Sequence, residues 1–135
     1  MAGYSGTPLD QKLGITPGAR VLVVDAPDGF IVPGDGVVVS SGPVDVALVF
    51  VRSRAALEAA WPSVTAALVA DGGFWVAWPK KASKVPTDMT EDVVREVALP
   101  QGLVDNKVCA IDDVWSGLRL VVRKELRSAW RGGPT

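Results

Sequence analysis

The sequence predicts an α/β fold: a single, mostly parallel sheet with helices on both faces, ending in an antiparallel β-hairpin. Three observations lead there. Short apolar, β-branched runs recur along the chain, "VLVV" at 21–24, "GVVVSS" at 36–41, "VDVALVFV" at 44–51 and "GFWVAW" at 73–78. Uninterrupted runs of this kind are what strands covered on both faces require. Segments with helical spacing follow the third and fourth runs, which is the alternation of a parallel sheet with crossover helices. The last two runs, "LVDNKVCAI" and "GLRLVVRK", are joined only by "DDVWS". That gap is too short for a crossover helix, so the two should pair as a hairpin.

Each element has its local reason. Thr7, Pro8 and Asp10 read as an N-cap, a first-turn proline and an acid near the positive end of a short helix that Gly14 stops. Ser53 caps a longer helix in which Leu57, Ala60, Trp61, Val64 and Leu68 fall on one stripe. Pro62 lies inside it and calls for either a kink or two short helices. "DGG" at 71–73 is expected to end it. Thr90 caps a third helix, with Glu91 and Asp92 in its first turn and Val93, Val94 and Val97 facing inward, closed by Pro100 and Gly102. Residues 1–127 then make one domain, and 128–135, "SAWRGGPT", read as a flexible tail.

Composition narrows the function classes. Nearly half of the 135 residues are hydrophobic and about a fifth are charged, which suits one compact domain with a sizeable core. Fourteen Lys/Arg against fifteen Asp/Glu give a net charge of −1, so bulk electrostatics does not call for nucleic acid or an anionic membrane. The distribution is uneven. Residues 1–79 carry four basic and seven acidic side chains and residues 80–135 carry ten and eight, so a positive patch belongs to the second part. No histidine is present, which removes imidazole acid/base catalysis, His-assisted nucleophiles and His-ligated metals, and no metal site is expected. Cys109, alone in "KVCAI", reads as a packed thiol. No apolar stretch approaches the roughly 18 residues of a membrane span, and the first residues lack an apolar signal core. A cytoplasmic location is the expectation.

The strand order resembles a shortened second half of class I methyltransferases, a Rossmann-like family whose sheet also ends in an antiparallel hairpin. The resemblance covers roughly residues 17–124 and is carried by "DVALVFV", "GGFWVAWPK" and "VCAIDDVWSGLRLVVRK". It implies S-adenosylmethionine as cofactor. The chain departs from that family in two places. "DAPDGF", with only Gly29, stands where the glycine-rich cofactor loop belongs, and Ser40 and Ser41 stand where an acid would grip ribose. About a dozen residues separate the first two strands, too few for a helix and its loops. The expectation is therefore no bound cofactor. "GYSGTPL", "WPKKASKVPTD" and "DDVWSGLRLVVRKELR" also resemble a family of small bacterial proteins, a domain to which no activity is assigned, over nearly the whole chain.

In open α/β sheets ligands settle outside the carboxyl ends of the strands. That rule gathers Asp25 and Asp28 after the first strand, Arg52 and Ser53 after the third, and Lys80, Lys81 and Lys84 after the fourth. Asp112, Trp115 and Ser116 in the hairpin turn reach the same edge. Two readings of these residues stand together. The lysines either keep a loop soluble or hold an anion with help from amides after Thr90; Trp115 either folds over the core or stacks on a ligand. Asp112 and Asp113 make a poor acid pair, because neighbours on an extended chain point apart. The preferred function is a non-catalytic module binding an anionic small molecule or a protein partner at this rim. The alternatives are a reduced methyltransferase and a structural, oligomerising domain.

Overall fold

The computed structural model describes residues 7–130. Among them are three α-helices, α1 (Leu9–Leu13), α2 (Arg54–Ala67) and α3 (Glu91–Ala98), and six strands. The strands are β1 (Arg20–Val24), β2 (Val37–Val39), β3 (Val44–Phe50), β4 (Leu68–Pro79), β5 (Leu103–Ala110) and β6 (Trp115–Val122). They form one mixed sheet in the order β2-β1-β3-β4-β6-β5. β1, β2, β3 and β4 run parallel, and β6 lies antiparallel between β4 and β5. The hairpin of the last two runs forms as expected.

β3 explains why the sheet has two cores. It lies mid-sheet between β1 and β4, and its residues alternate between two apolar layers. Ala47, Val49 and Val51 join Leu57, Trp61 and Val64 of α2 and Val94 and Val97 of α3 on one face. Val46, Leu48 and Phe50 join Leu13, Trp75 and Trp115 on the other. The second face has no long helix among the described residues. Five-residue α1 and the 25–36 connection, through Ala26, Phe30 and Val32, cover it instead. The dozen residues between β1 and β2 contain no helix, as their number required.

Several local expectations change. Pro8, not Thr7, occupies the N-cap position of α1 and no side chain caps it, while Gly14 does close the helix in the left-handed conformation at φ 81°. β2 is exposed rather than sandwiched: Val37 and Val38 are 51% and 57% accessible, because this three-residue strand is the sheet's edge. Pro62 neither ends nor splits α2, which runs through it for 14 residues, with the Thr65 hydroxyl donating to the Trp61 carbonyl at 2.8 Å. "DGG" is no helix stop. α2 passes into β4 at Leu68 without a loop, and pairing jumps from Val44–Leu68 to Val46–Gly73, leaving a bulge over the glycines. A side chain at Gly72 would meet the Asp45 carbonyl at 2.9 Å. The glycines serve close strand approach, not chain reversal.

The Thr90 expectation holds. Its hydroxyl oxygen accepts from Val93 N at 3.1 Å, and Arg95 ties α3 to Glu91, Asp92 and Asp105. At the other end of the chain, the Trp130 indole donates to the Leu68 carbonyl at 2.8 Å. Trp130 lies within the expected tail of 128–135, and residues 131–135 of that tail lie outside the described residues. Among the described residues no helix is long and apolar enough to cross a membrane.

Candidate site at the carboxyl edge

The carboxyl edge takes its shape from the two central strands. After β1 the chain turns to the face that Phe30 and Val32 cover; after β3 it turns to the opposite face and enters α2. Adjacent parallel strands whose connections diverge in this way leave a crevice between their ends. Here it measures about 450 Å³, and its walls include Asp25, Asp28, Phe50, Arg52, Ser53 and Trp115. Four of the expected site residues, Asp25, Arg52, Ser53 and Trp115, therefore meet in one place.

Their chemistry is unequal. Asp25 sits at φ 55°, a left-handed conformation that costs a non-glycine residue about 1 kcal/mol and that Asp tolerates better than most. Its carboxylate is exposed at the end of β1. Ser53 is already engaged, since its hydroxyl oxygen caps α2 by accepting from Ala56 N at 3.1 Å. Asp88 accepts from the next amide, Arg54 N, at 2.8 Å. The chain's own oxygens thus occupy two of the helix's first-turn donors.

Arg52 differs from the other arginines of this region. Arg54 is paired with Glu58 and Glu96, and these hydrogen bonds raise its pKa; the triply paired Arg95 is raised likewise, first by Asp105. No carboxylate among the described residues pairs with the exposed Arg52. Its guanidinium lies 5.9 Å from the centre of the Trp115 ring, a cation–π arrangement that orients it. Trp115 is only 6% accessible and meets Phe50 edge-on at 5.2 Å, and Phe50 meets Phe30 in the same way at 5.0 Å. The indole is a wall and a seat for Arg52, and little of its face is left for a ligand.

The remaining expected residues fall outside the crevice. Asp112 builds the hairpin turn: one carboxylate oxygen accepts from Val114 N and Trp115 N, both at 2.8 Å. Asp112 and Trp115 also border a neighbouring cavity of about 440 Å³ with Leu9, Phe30 and Ile31. Ser116 follows Trp115 on β6 and so faces the opposite side of the sheet. Lys80, Lys81 and Lys84 lie on the loop beyond β4 and line neither cavity. The Lys80 amide donates to the Val114 carbonyl at 2.7 Å, locking this loop to the hairpin turn, and Lys84 adopts φ 63°. Val93 N, one of the amides after Thr90, is taken by the Thr90 cap.

One feature of the edge lay beyond the expected residues. A cavity of about 670 Å³ opens on the α2 side of β1, lined by Leu22, Val24, Asp25, Ser40, Ser41 and Ser63. It exists because the connection from β2 to β3, residues 40–43, crosses β1 without a helix and leaves part of that strand uncovered. The serine pair after an apolar run was its signal in the sequence. Asp25 borders both this cavity and the 450 Å³ crevice.

Cys109 is half-buried, and burial pushes its thiol pKa up against the opposing pull of Lys12 and Lys107. A raised pKa leaves less thiolate at any pH below it. Alkylation by iodoacetamide should therefore run slower than for a free thiol at pH 8, with its pH midpoint displaced upward. A midpoint at or below the free-thiol value would contradict the burial argument.

No protein-family model matches the chain, and no curated protein matches it.

Proposed function

We propose that the protein is a small cytoplasmic binding module that takes an anionic small molecule into the crevice between β1 and β3, without catalysing a reaction on it. The observation that carries this reading is Arg52: an exposed guanidinium without a carboxylate partner among the described residues, seated on Trp115 at the divergence of two parallel strands. Arg presents a planar fork of donors that matches carboxylate and phosphate oxygens. Asp25, on the opposite wall, is an acceptor for a hydroxyl or amine of the same ligand, and the serine-lined cavity beyond it gives room for a polar extension. With no histidine in the sequence, imidazole is absent as an acid or base.

Isothermal titration against a panel of phosphorylated and carboxylated metabolites tests the reading. Arg52→Ala should weaken binding of any hit by about tenfold or more, since a hydrogen bond to a charged group contributes roughly 1.5–3 kcal/mol. The triple alanine variant of Lys80, Lys81 and Lys84 should change it far less. Equal binding by wild type and Arg52→Ala would move the site elsewhere.

The strand order favours one second reading, a reduced Rossmann-like, methyltransferase-like domain. An antiparallel strand inserted between the last two parallel ones suits that family's arrangement. S-adenosylmethionine would then use the 670 Å³ cavity, with Ser40 and Ser41 in place of the acid. Tight binding of it or of S-adenosylhomocysteine would favour this reading over the first.

A further inference from the structure

On the face of the sheet opposite α2 and α3, two cations face each other across a strand pair. Leu118 and Leu120 of β6 point into the layer of α2 and α3, so Arg119 between them points the other way. Lys107 is its direct cross-strand partner on β5, and like charges facing each other across a strand pair are destabilising. Arg127, from the turn after β6, lies near enough to act on Arg119 electrostatically. Lys107 and Arg127 are exposed, whereas Arg119 is partly buried.

The seat of Arg119 is specific. A Cβ placed on Gly73 would lie 2.6 Å from Arg119 Nε and 3.0 Å from its terminal nitrogen. The guanidinium therefore rests on strand β4 in the space a side chain would fill. Arg127 Nε bonds the Val122 carbonyl at 3.0 Å, but Arg119 makes no hydrogen bond or ion pair among the described residues. Burial first, and Arg127 second, push its pKa down. A partly buried, repelled and unpaired guanidinium is costly to the free protein, and a bound anion removes that cost.

We propose that Arg119, Lys107 and Arg127 form a second binding site, separate from the Arg52 crevice, for the phosphate group of a small-molecule ligand. The fork of Arg119 takes two phosphate oxygens, and Lys107 and Arg127 supply the balancing charge for a dianion. The site stands whether or not the crevice binds a ligand of its own.

Inorganic pyrophosphate is the probe, added to the full-length protein at constant ionic strength with chloride as control. Two measurements apply: calorimetric affinity, and the Arg119 Nε–H signal in nitrogen-proton NMR of the wild-type protein, assigned through its bonds to the Arg119 backbone. The Arg119 signal should shift in step with binding. Affinity should fall about tenfold or more in Arg119→Met and stay unchanged in Lys81→Ala, whose exposed lysine lies on the loop beyond β4. Binding should weaken as salt rises. An Arg119 signal that stays still at millimolar pyrophosphate overturns the proposal, as does undiminished affinity in Arg119→Met. The NMR readout uses wild-type protein, so a variant that fails to fold leaves the test intact.

Discussion

Replacing Trp75 with alanine should lower stability by about 3–5 kcal/mol, a large part of the roughly 5–15 kcal/mol that holds a domain together. Trp75 is fully buried on β4, in the layer with Leu13, Leu48 and Ile111. Its loss would open a void that a mid-sheet strand cannot collapse to fill. The indole also donates to the Leu13 carbonyl at 2.9 Å, across 62 residues of sequence. That bond, the buried Leu13 side chain and Leu9 packed on the same layer anchor α1, whose five residues are too few to hold a helix alone. Urea denaturation should therefore show the large loss, and hydrogen exchange should show protection vanishing over residues 9–15. Trp75→Phe isolates the hydrogen bond and should cost about 1 kcal/mol beyond its change in packing. A cost for Trp75→Ala below about 2 kcal/mol would mean that this face of the sheet is looser than its burial indicates.

Trp75 also marks what was legible beforehand. Its run, "GFWVAW", could be read as a strand because six apolar residues bounded by glycine and proline have few other uses, and β3 and α3 were legible for similar reasons. What failed was local punctuation. "DGG" resembles a helix stop, yet Gly72 and Gly73 are buried inside β4 because neighbouring atoms come too close for side chains. "GVVVSS" resembles a sandwiched strand, yet β2 is at the edge, and position in a sheet is not written in a strand's own residues. The carboxyl-edge rule did assemble Asp25, Arg52 and Trp115. It could not separate them from Lys80, Lys81 and Lys84, since the path of a loop beyond its strand depends on packing far away. Arg119 was hidden in "GLRLVVRK", where a charge in an alternating run looks solvated; its burial depends on Gly73, 46 positions earlier.

Gly42→Ala should destabilise the protein by about 1–3 kcal/mol, the range for inserting a methyl group where no space exists. Residues 40–43 carry the chain from β2 across β1 to β3, and they pass against the end of α2. An added Cβ at Gly42 would lie 2.6 Å from the Ala67 Cα and 2.9 Å from its carbonyl oxygen. Those are backbone atoms at the junction of α2 and β4, so they cannot swing aside as a side chain could. Gly14→Ala supplies the contrast: open space surrounds it, and its cost comes only from the left-handed φ of 81°, about 1 kcal/mol. The two substitutions should therefore respond differently to a second change. Ala67→Gly removes the Cβ that lies 2.8 Å from the new methyl and should recover part of the Gly42→Ala loss, while leaving Gly14→Ala untouched. Because residues 40–42 also wall the 670 Å³ cavity beside Asp25, a chain pushed outward at Gly42 should reshape that cavity without altering the Arg52 crevice, which residues 40–42 do not line. Chemical denaturation of the three single variants and the two doubles with Ala67→Gly decides the matter; equal costs for Gly42→Ala and Gly14→Ala, with no coupling to Ala67, would show that the crossover does not rest on α2.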